Sequence, residues 1–197
     1  MNRSANRMLA YALIAFALIV TLVLVARQPD SFRVERSLSM AAPPEAVFAQ
    51  VDDLRNWQRW SPWAKRDPAM QQSYEGPHAG VGAIYRWAGN KEVGAGSMSI
   101  IESLPSQAIR IRLEFLKPFQ ASNEAQFLFV PEGEGTRVTW SMSGSNNFMA
   151  KAMHLVMDMD KMVGGDFEQG LAQLKAVAEA PVTPKRAATA RDVPPAG

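Results

Sequence analysis

The chain has 197 residues, with 21 Lys and Arg against 19 Asp and Glu, and its formal net charge is only +2. It contains no Cys, which excludes disulfides, Cys-ligated zinc and thiol catalysis. Residues 31–180 carry 15 basic against 17 acidic side chains, so the basic stripe of a nucleic-acid binder is missing and no nucleic-acid partner is expected.

In chain order, Arg3 and Arg7 precede an uncharged apolar run from Met8 to Ala26. As a helix rising ~1.5 Å per residue this run is about 28 Å long, close to the ~30 Å hydrocarbon core of a bilayer. It is too long for a secretory h-region, and Leu24-Val25-Ala26 is a poor cleavage site, so a retained single-pass anchor is expected rather than a cleaved signal peptide. Arg27, Arg33 and Arg36 follow the run and nearly balance the arginines before it. The expected placement is a bacterial inner (cytoplasmic) membrane, with the N-terminus cytoplasmic and the globular part external or periplasmic.

The expected organisation is a tail at 1–7, an anchor at 8–26, a linker at 27–31, one domain at 32–180 and a disordered Pro/Ala-rich tail at 181–197. Phe32 to Leu38 alternates apolar and polar residues as a strand does. Pro43-Pro44 then opens a short helix over Glu45 to Asp53, with Glu45 suited to the helix N-terminus. A tryptophan-dense turn, Trp57-Gln-Arg-Trp60-Ser-Pro-Trp63, follows. Ala83 to Trp87 and Ser97 to Leu104 read as a hairpin joined through Gly89-Asn90, Gly94 and Gly96. In Ile109 to Phe115 strict alternation puts four apolar side chains on one face and Arg110, Arg112 and Glu114 on the other. Ala125 to Val130 and Val138 to Met142 repeat this around the turn Pro131 to Gly135. From about Phe148 to Ala180 the period is helical, giving one long closing helix with a kink or close backbone contact at Gly164-Gly165.

These elements describe an α+β domain in which a curved antiparallel sheet wraps a long C-terminal helix. The segments Ala42-Pro-Pro-Glu-Ala-Val-Phe48, Trp57 to Trp63, Gly82-Ala-Ile-Tyr-Arg-Trp87, Gly96-Ser-Met98, Gly135-Thr-Arg-Val-Thr-Trp140 and Phe167-Glu-Gln-Gly-Leu171 occur in order. In them the chain from about Phe32 to Glu179 resembles the START-like, or SRPBCC, superfamily, in particular its bacterial polyketide cyclase/dehydrase-like branch with membrane-anchored members. The resemblance implies a helix-grip fold with an apolar cavity between sheet and helix, and a lipid or other hydrophobic small molecule as ligand. It implies a pocket more firmly than a reaction, because function resides in the site and not in the fold.

The residues supply candidates for that cavity. If the sheet faces follow the alternation, Tyr85, Trp87, Met98, Phe115, Phe127, Phe129, Trp140 and Met142 share one interior. Trp57, Trp60 and Trp63 either rim a pocket mouth or cap the core. Met153 and Met157 belong to a methionine stripe on the closing segment that is suited to variable apolar ligands, although gap-filling core is the ordinary reading of such a stripe. No catalytic residue is assigned. Tyr85 and Glu102 are the conceivable proton-transfer groups, each with an ordinary structural reading. His154, Asp158 and Asp160 lack the partners of a metal motif and read as solvated charge, so no metal and no cofactor are expected.

The function read from the sequence is a membrane-anchored binding protein for a hydrophobic small molecule or lipid, docked through residues 8–26, with protein partners unspecified. The alternatives are a polyketide cyclase/dehydrase-like enzyme and a degenerate domain used for protein interaction.

Overall fold

In the computed structural model, which describes residues 3–155 and 158–181, the apolar run forms one helix, α1 (Arg3–Ala26). Its segment Asn6–Ala26 has a mean hydropathy of 2.8 and is long and apolar enough to cross a membrane. Four residues, 27–30, separate the helix from strand β1 (Ser31–Met40).

Helix α2 (Pro44–Asp52) has proline in its first turn, where the missing N–H costs nothing, and Glu45 beside the positive end of the helix dipole. The tryptophan-dense stretch is a short α3 (Trp57–Trp60) between single 3-10 turns at Leu54–Asn56 and Pro62–Lys65. The chain then crosses to the opposite edge of the sheet and returns as a meander. The strands are β2 (Gln71–Glu75), β3 (Ile84–Ala88), β4 (Ala95–Leu104), β5 (Ala108–Lys117), β6 (Ala121–Glu132) and β7 (Gly135–Ser145). All neighbours are antiparallel in the order β1-β7-β6-β5-β4-β3-β2, so the first and last strands pair, Ser31 opposite Ser145 and Met40 opposite Thr136. The β2 strand is not foreshadowed by alternation: it is a polar edge strand in which only Tyr74 is half-buried.

Alternation sorts the two faces as expected. Val34, Val138, Trp140, Phe127, Phe129, Ile109, Ile111, Met98 and Ile100 are buried on the inner face. The outer face is wet and carries Arg110, held by Glu102 at 3.0 Å and Glu124 at 2.9 Å. Exposed ion pairs of this kind contribute little to stability.

The closing segment is two helices rather than one, α4 (Phe148–His154) and α5 (Met159–Ala178). Each start is defined by a cap: Asn147 Oδ1 accepts from the Ala150 N–H at 2.9 Å, and Asp158 Oδ1 accepts from the Lys161 N–H at 3.1 Å. A side chain that satisfies the first-turn amides favours a new helix start over continuation, and the apolar period does not report this. Helix α5 runs unbroken through Gly164-Gly165, and the helix backbone is closely approached at Gly164. A Cβ at Gly164 would meet the Arg36 guanidinium at 2.1 Å, and one at Gly170 would meet the Trp140 ring at 2.7 Å. These two glycines let α5 lie against β1 and the inner face, with Phe167, Leu171 and Leu174 buried one turn apart. Arg36 reaches across to Asp160 at 2.9 Å and Glu168 at 2.7 Å, and the Lys175 ammonium donates to the Ser39 carbonyl. The helix therefore runs in the same direction as β1.

Candidate functional site

The inner face divides into two halves. Towards the end of the sheet away from α1 lies a closed aromatic plug. Trp140 stacks on Phe167 with centroids 4.1 Å apart and an interplanar angle of 8°, and on Phe127 at 4.8 Å. Trp57 and Trp60 meet at 4.5 Å and both approach Trp140 nearly at right angles, at 6.0 and 5.8 Å. Phe129 completes the plug against Phe127 and Phe48. The indole N–H groups of Trp57 and Trp60 donate to the carbonyls of Val51 and Gln50, which fixes both rings. Of the two readings left open for the tryptophans, Trp57 and Trp60 therefore cap the core, while Trp63 stays half-buried at 5.9 Å from Trp140.

Towards the end next to α1 the inner face is less covered. Phe32, Trp87, Leu113 and Phe115 are only partly buried there, whereas Met98 and Tyr85, one pair further in, are buried. Trp87 lies edge-on to Phe115 at 6.0 Å and parallel to Tyr85 at 5.9 Å, its N–H donated to the Val93 carbonyl. Gly96 makes this possible, since a Cβ there would meet the Trp87 ring at 2.7 Å. Met142 is buried opposite Val34, and Met153 is half-buried on α4. Met157 lies outside the described residues.

Polar groups near this apolar surface are few. Tyr85 is buried, and burial pushes its phenol up to about 12, with hydrogen bonding from Gln58 opposing the rise. Gln58 donates to the Tyr74 hydroxyl at 3.3 Å, burial likewise raises the Tyr74 phenol, and the Arg55 guanidinium sits 4.9 Å from the Tyr74 ring centre. Tyr85 thus remains a protonated donor across the physiological range. The Trp140 N–H is buried and has no acceptor among the described residues, in contrast to the other buried indoles. Enclosed in the plug, such a donor bears a desolvation cost.

Glu102 does not join this group. It sits on the outer face in the Arg110 pair, because the shift in register between Ile100 and Glu102 realigns the strand there. Among the acids near His154, Asp158 caps α5 and Asp160 pairs with Arg36, and among the described residues no three potential metal-binding side chains gather. A shallow groove of about 460 Å³ on the outer face is lined by polar groups such as Arg112, Ser122, Glu124 and Ser143, which does not suit an apolar ligand.

The profile of the family described as "Polyketide cyclase / dehydrase and lipid transport" matches residues 31–179. The chain belongs to this family. Solved structures with the same fold include the CV1439 protein from Chromobacterium violaceum, at 18% identity and a TM-score of 0.55, covering 77% of this chain and 99% of that one. The Aha1 protein from Colwellia psychrerythraea, solved as a dimer, matches at 14% identity and a TM-score of 0.54, covering 75% and 96%. The di-domain ARO/CYC BexL of the BE-7585A biosynthetic pathway matches at 17% identity and a TM-score of 0.58, covering 89% of this chain and 60% of BexL. No curated protein matches the chain. The family and these neighbours identify the seven-stranded sheet with its long closing helix as a helix-grip fold.

Two contributors to the site were not singled out beforehand. Leu113 was already placed on the apolar face by alternation, which carries no information about how deeply a residue sits. Val163, half-buried against the core from α5, precedes Phe167 by one helical turn, and that spacing was its available signal.

Proposed function

We propose that this domain binds a hydrophobic small molecule or lipid against the half-covered part of its inner face, between Trp87, Leu113 and Phe115 on the sheet and the helices that cross it. We further propose that α1 spans the bacterial inner membrane once and leaves the domain on the periplasmic side. The observation that carries the binding reading is the division of the inner face into a closed plug and a partly covered apolar half. A packed core has no reason to leave three large apolar side chains half-wet. The family description, which includes lipid transport, supports it. The apolarity of Asn6–Ala26 supports the anchor, and Arg3 and Arg7 on its short N-terminal flank favour retention of that flank in the cytoplasm.

Residues 31–180, which contain the whole family match at 31–179, are the material for the test. Native mass spectrometry of this segment should show a reproducible apolar adduct removed by organic extraction. The emptied protein should then bind a brominated fatty acid saturably, with quenching of tryptophan emission. An unmodified mass together with quenching that rises linearly, without saturation, would overturn the reading.

A second reading, a cyclase/dehydrase-like enzyme, is favoured by Tyr85, a protonated hydroxyl at the boundary between plug and open half. A phenol in that place can donate to a developing oxyanion. Turnover of a polyketide-type substrate, lost in Tyr85→Phe with binding retained, distinguishes the enzyme from the carrier. The titration itself is expected at high pH: ultraviolet absorbance should resolve one tyrosine with a midpoint near 12. Because the folded value lies above that of the unfolded chain, this group's contribution to stability is complete below about pH 10 and is lost as the pH rises towards 12. A Tyr85→Phe variant with an unchanged alkaline titration would refute the assignment.

A further inference from the structure

We infer that the edge of the domain nearest α1 docks into the lipid bilayer, so that the open half of the inner face meets the membrane directly. This rests on the reading of α1 as a membrane span.

The strand register places one end of the sheet beside the anchor. Ser31 at the start of β1 pairs with Ser145 at the end of β7, Asn123 pairs with Gly144, and Phe115 pairs with Ala121. The β5–β6 turn and the start of α4 therefore emerge on the same side as the end of α1. That edge carries four large apolar side chains that the described residues leave exposed: Leu116 at 57% near the end of β5, Phe119 at 60% on the turn after it, and Phe148 at 58% and Met149 at 56% on α4. Single exposed apolar residues are ordinary, but two pairs on one edge form a surface.

The connection to α1 is short and fixed, and this identifies the bilayer as the occupant. Only residues 27–30 separate α1 from β1, a reach of at most about 14 Å even when fully extended. Asn146 ties them down, its N–H donating to the Asp30 carbonyl at 2.8 Å and its side-chain amide to the Pro29 carbonyl at 3.0 Å, and Lys151 on α4 pairs with the Asp30 carboxylate. Val25, in the last turn of α1, is buried, and α1 packs against α4. A bilayer around α1 thus lies within side-chain reach of Phe148 and Met149. Arg27, Lys91 and Lys117 are exposed along the same edge, with Glu92 as the acid without an ion-pair partner there among the described residues, which suits anionic headgroups around an inserted apolar rim. Trp87 and Phe115 sit just inside this edge, so an apolar ligand passes between lipid and inner face without crossing water.

The chain has no native Cys, so Phe119→Cys, Met149→Cys and, in the β6–β7 turn at the opposite end, Glu134→Cys can each carry a single NBD label in the full-length protein. In vesicles of phosphatidylcholine and phosphatidylglycerol, the labels at 119 and 149 should shift to the blue and be quenched several-fold more strongly by shallow doxyl lipids than the label at 134. Equal, weak quenching at all three sites in protein that resists carbonate extraction would overturn the docking while leaving the anchor intact. Blue-shifted but unquenched labels would overturn it in favour of a second copy of the chain covering the edge. Release of the protein by carbonate would overturn the anchor reading, and this inference with it.

Discussion

Replacing Trp60 with alanine is expected to lower the stability of the domain by about 3–5 kcal/mol, the cost of removing a large aromatic side chain from a site that cannot collapse. Trp60 has no exposed surface, contacts Trp57, Phe127 and Trp140 in the plug, and donates its N–H to the Gln50 carbonyl. Its loss leaves a cavity at the junction of α3, β6 and β7 and an acceptor without its donor. Domains of this size are stable by roughly 5–15 kcal/mol, so the variant should approach the unfolding threshold at physiological temperature. Trp87→Ala, at the half-covered end, should cost distinctly less, because that ring is already partly solvated in the folded state. Chemical denaturation of both variants measures the contrast. Equal losses would mean that the two halves of the inner face are packed alike, and the reading of one half as a binding surface would fail.

The second large effect concerns that surface itself. Leu113→Trp, which adds a ring to a half-buried position facing Met98 across the β4–β5 ladder, is expected to occupy the space offered to a ligand. Affinity for a saturably bound apolar probe should fall at least about tenfold, equivalent to about 1.4 kcal/mol. The folding stability should change far less than in Trp60→Ala, since the added ring lies towards the uncovered end. Undiminished probe binding would place the ligand elsewhere.

The faces of the sheet were legible because period two and one wet face leave a strong signature: Ile109, Ile111, Leu113 and Phe115 lie inward and Arg110 and Arg112 outward, as the alternation requires. Strand β2 was not legible. Its Gln71-Gln-Ser-Tyr-Glu75 sequence forms an edge strand whose side chains bury almost nothing, and burial is what writes a pattern. The break between α4 and α5 was hidden for a related reason, since the methionine spacing continues across it while the decision rests on the Asp158 cap. For the candidate site, the sequence separated inside from outside but not filled from open. Phe127 and Phe115 occupy the same kind of position in an alternating strand, yet Phe127 stacks in the plug and Phe115 stands at its open end. That difference is made by where α5 lies, and α5 is positioned by Gly164 and Gly170, whose role is visible only once Arg36 and Trp140 are seen against them.

The pairing of the first strand with the last bears on biosynthesis. Ser37 and Thr139, hydrogen-bonded at 2.8 Å, are 102 residues apart in the chain. As residues leave the ribosome at roughly 5–20 per second, β1 must wait about 5–20 s for its partner strand β7 to be made. During that interval the β1 edge stands unpaired and open to wrong pairings, and production at low temperature should lengthen the exposure.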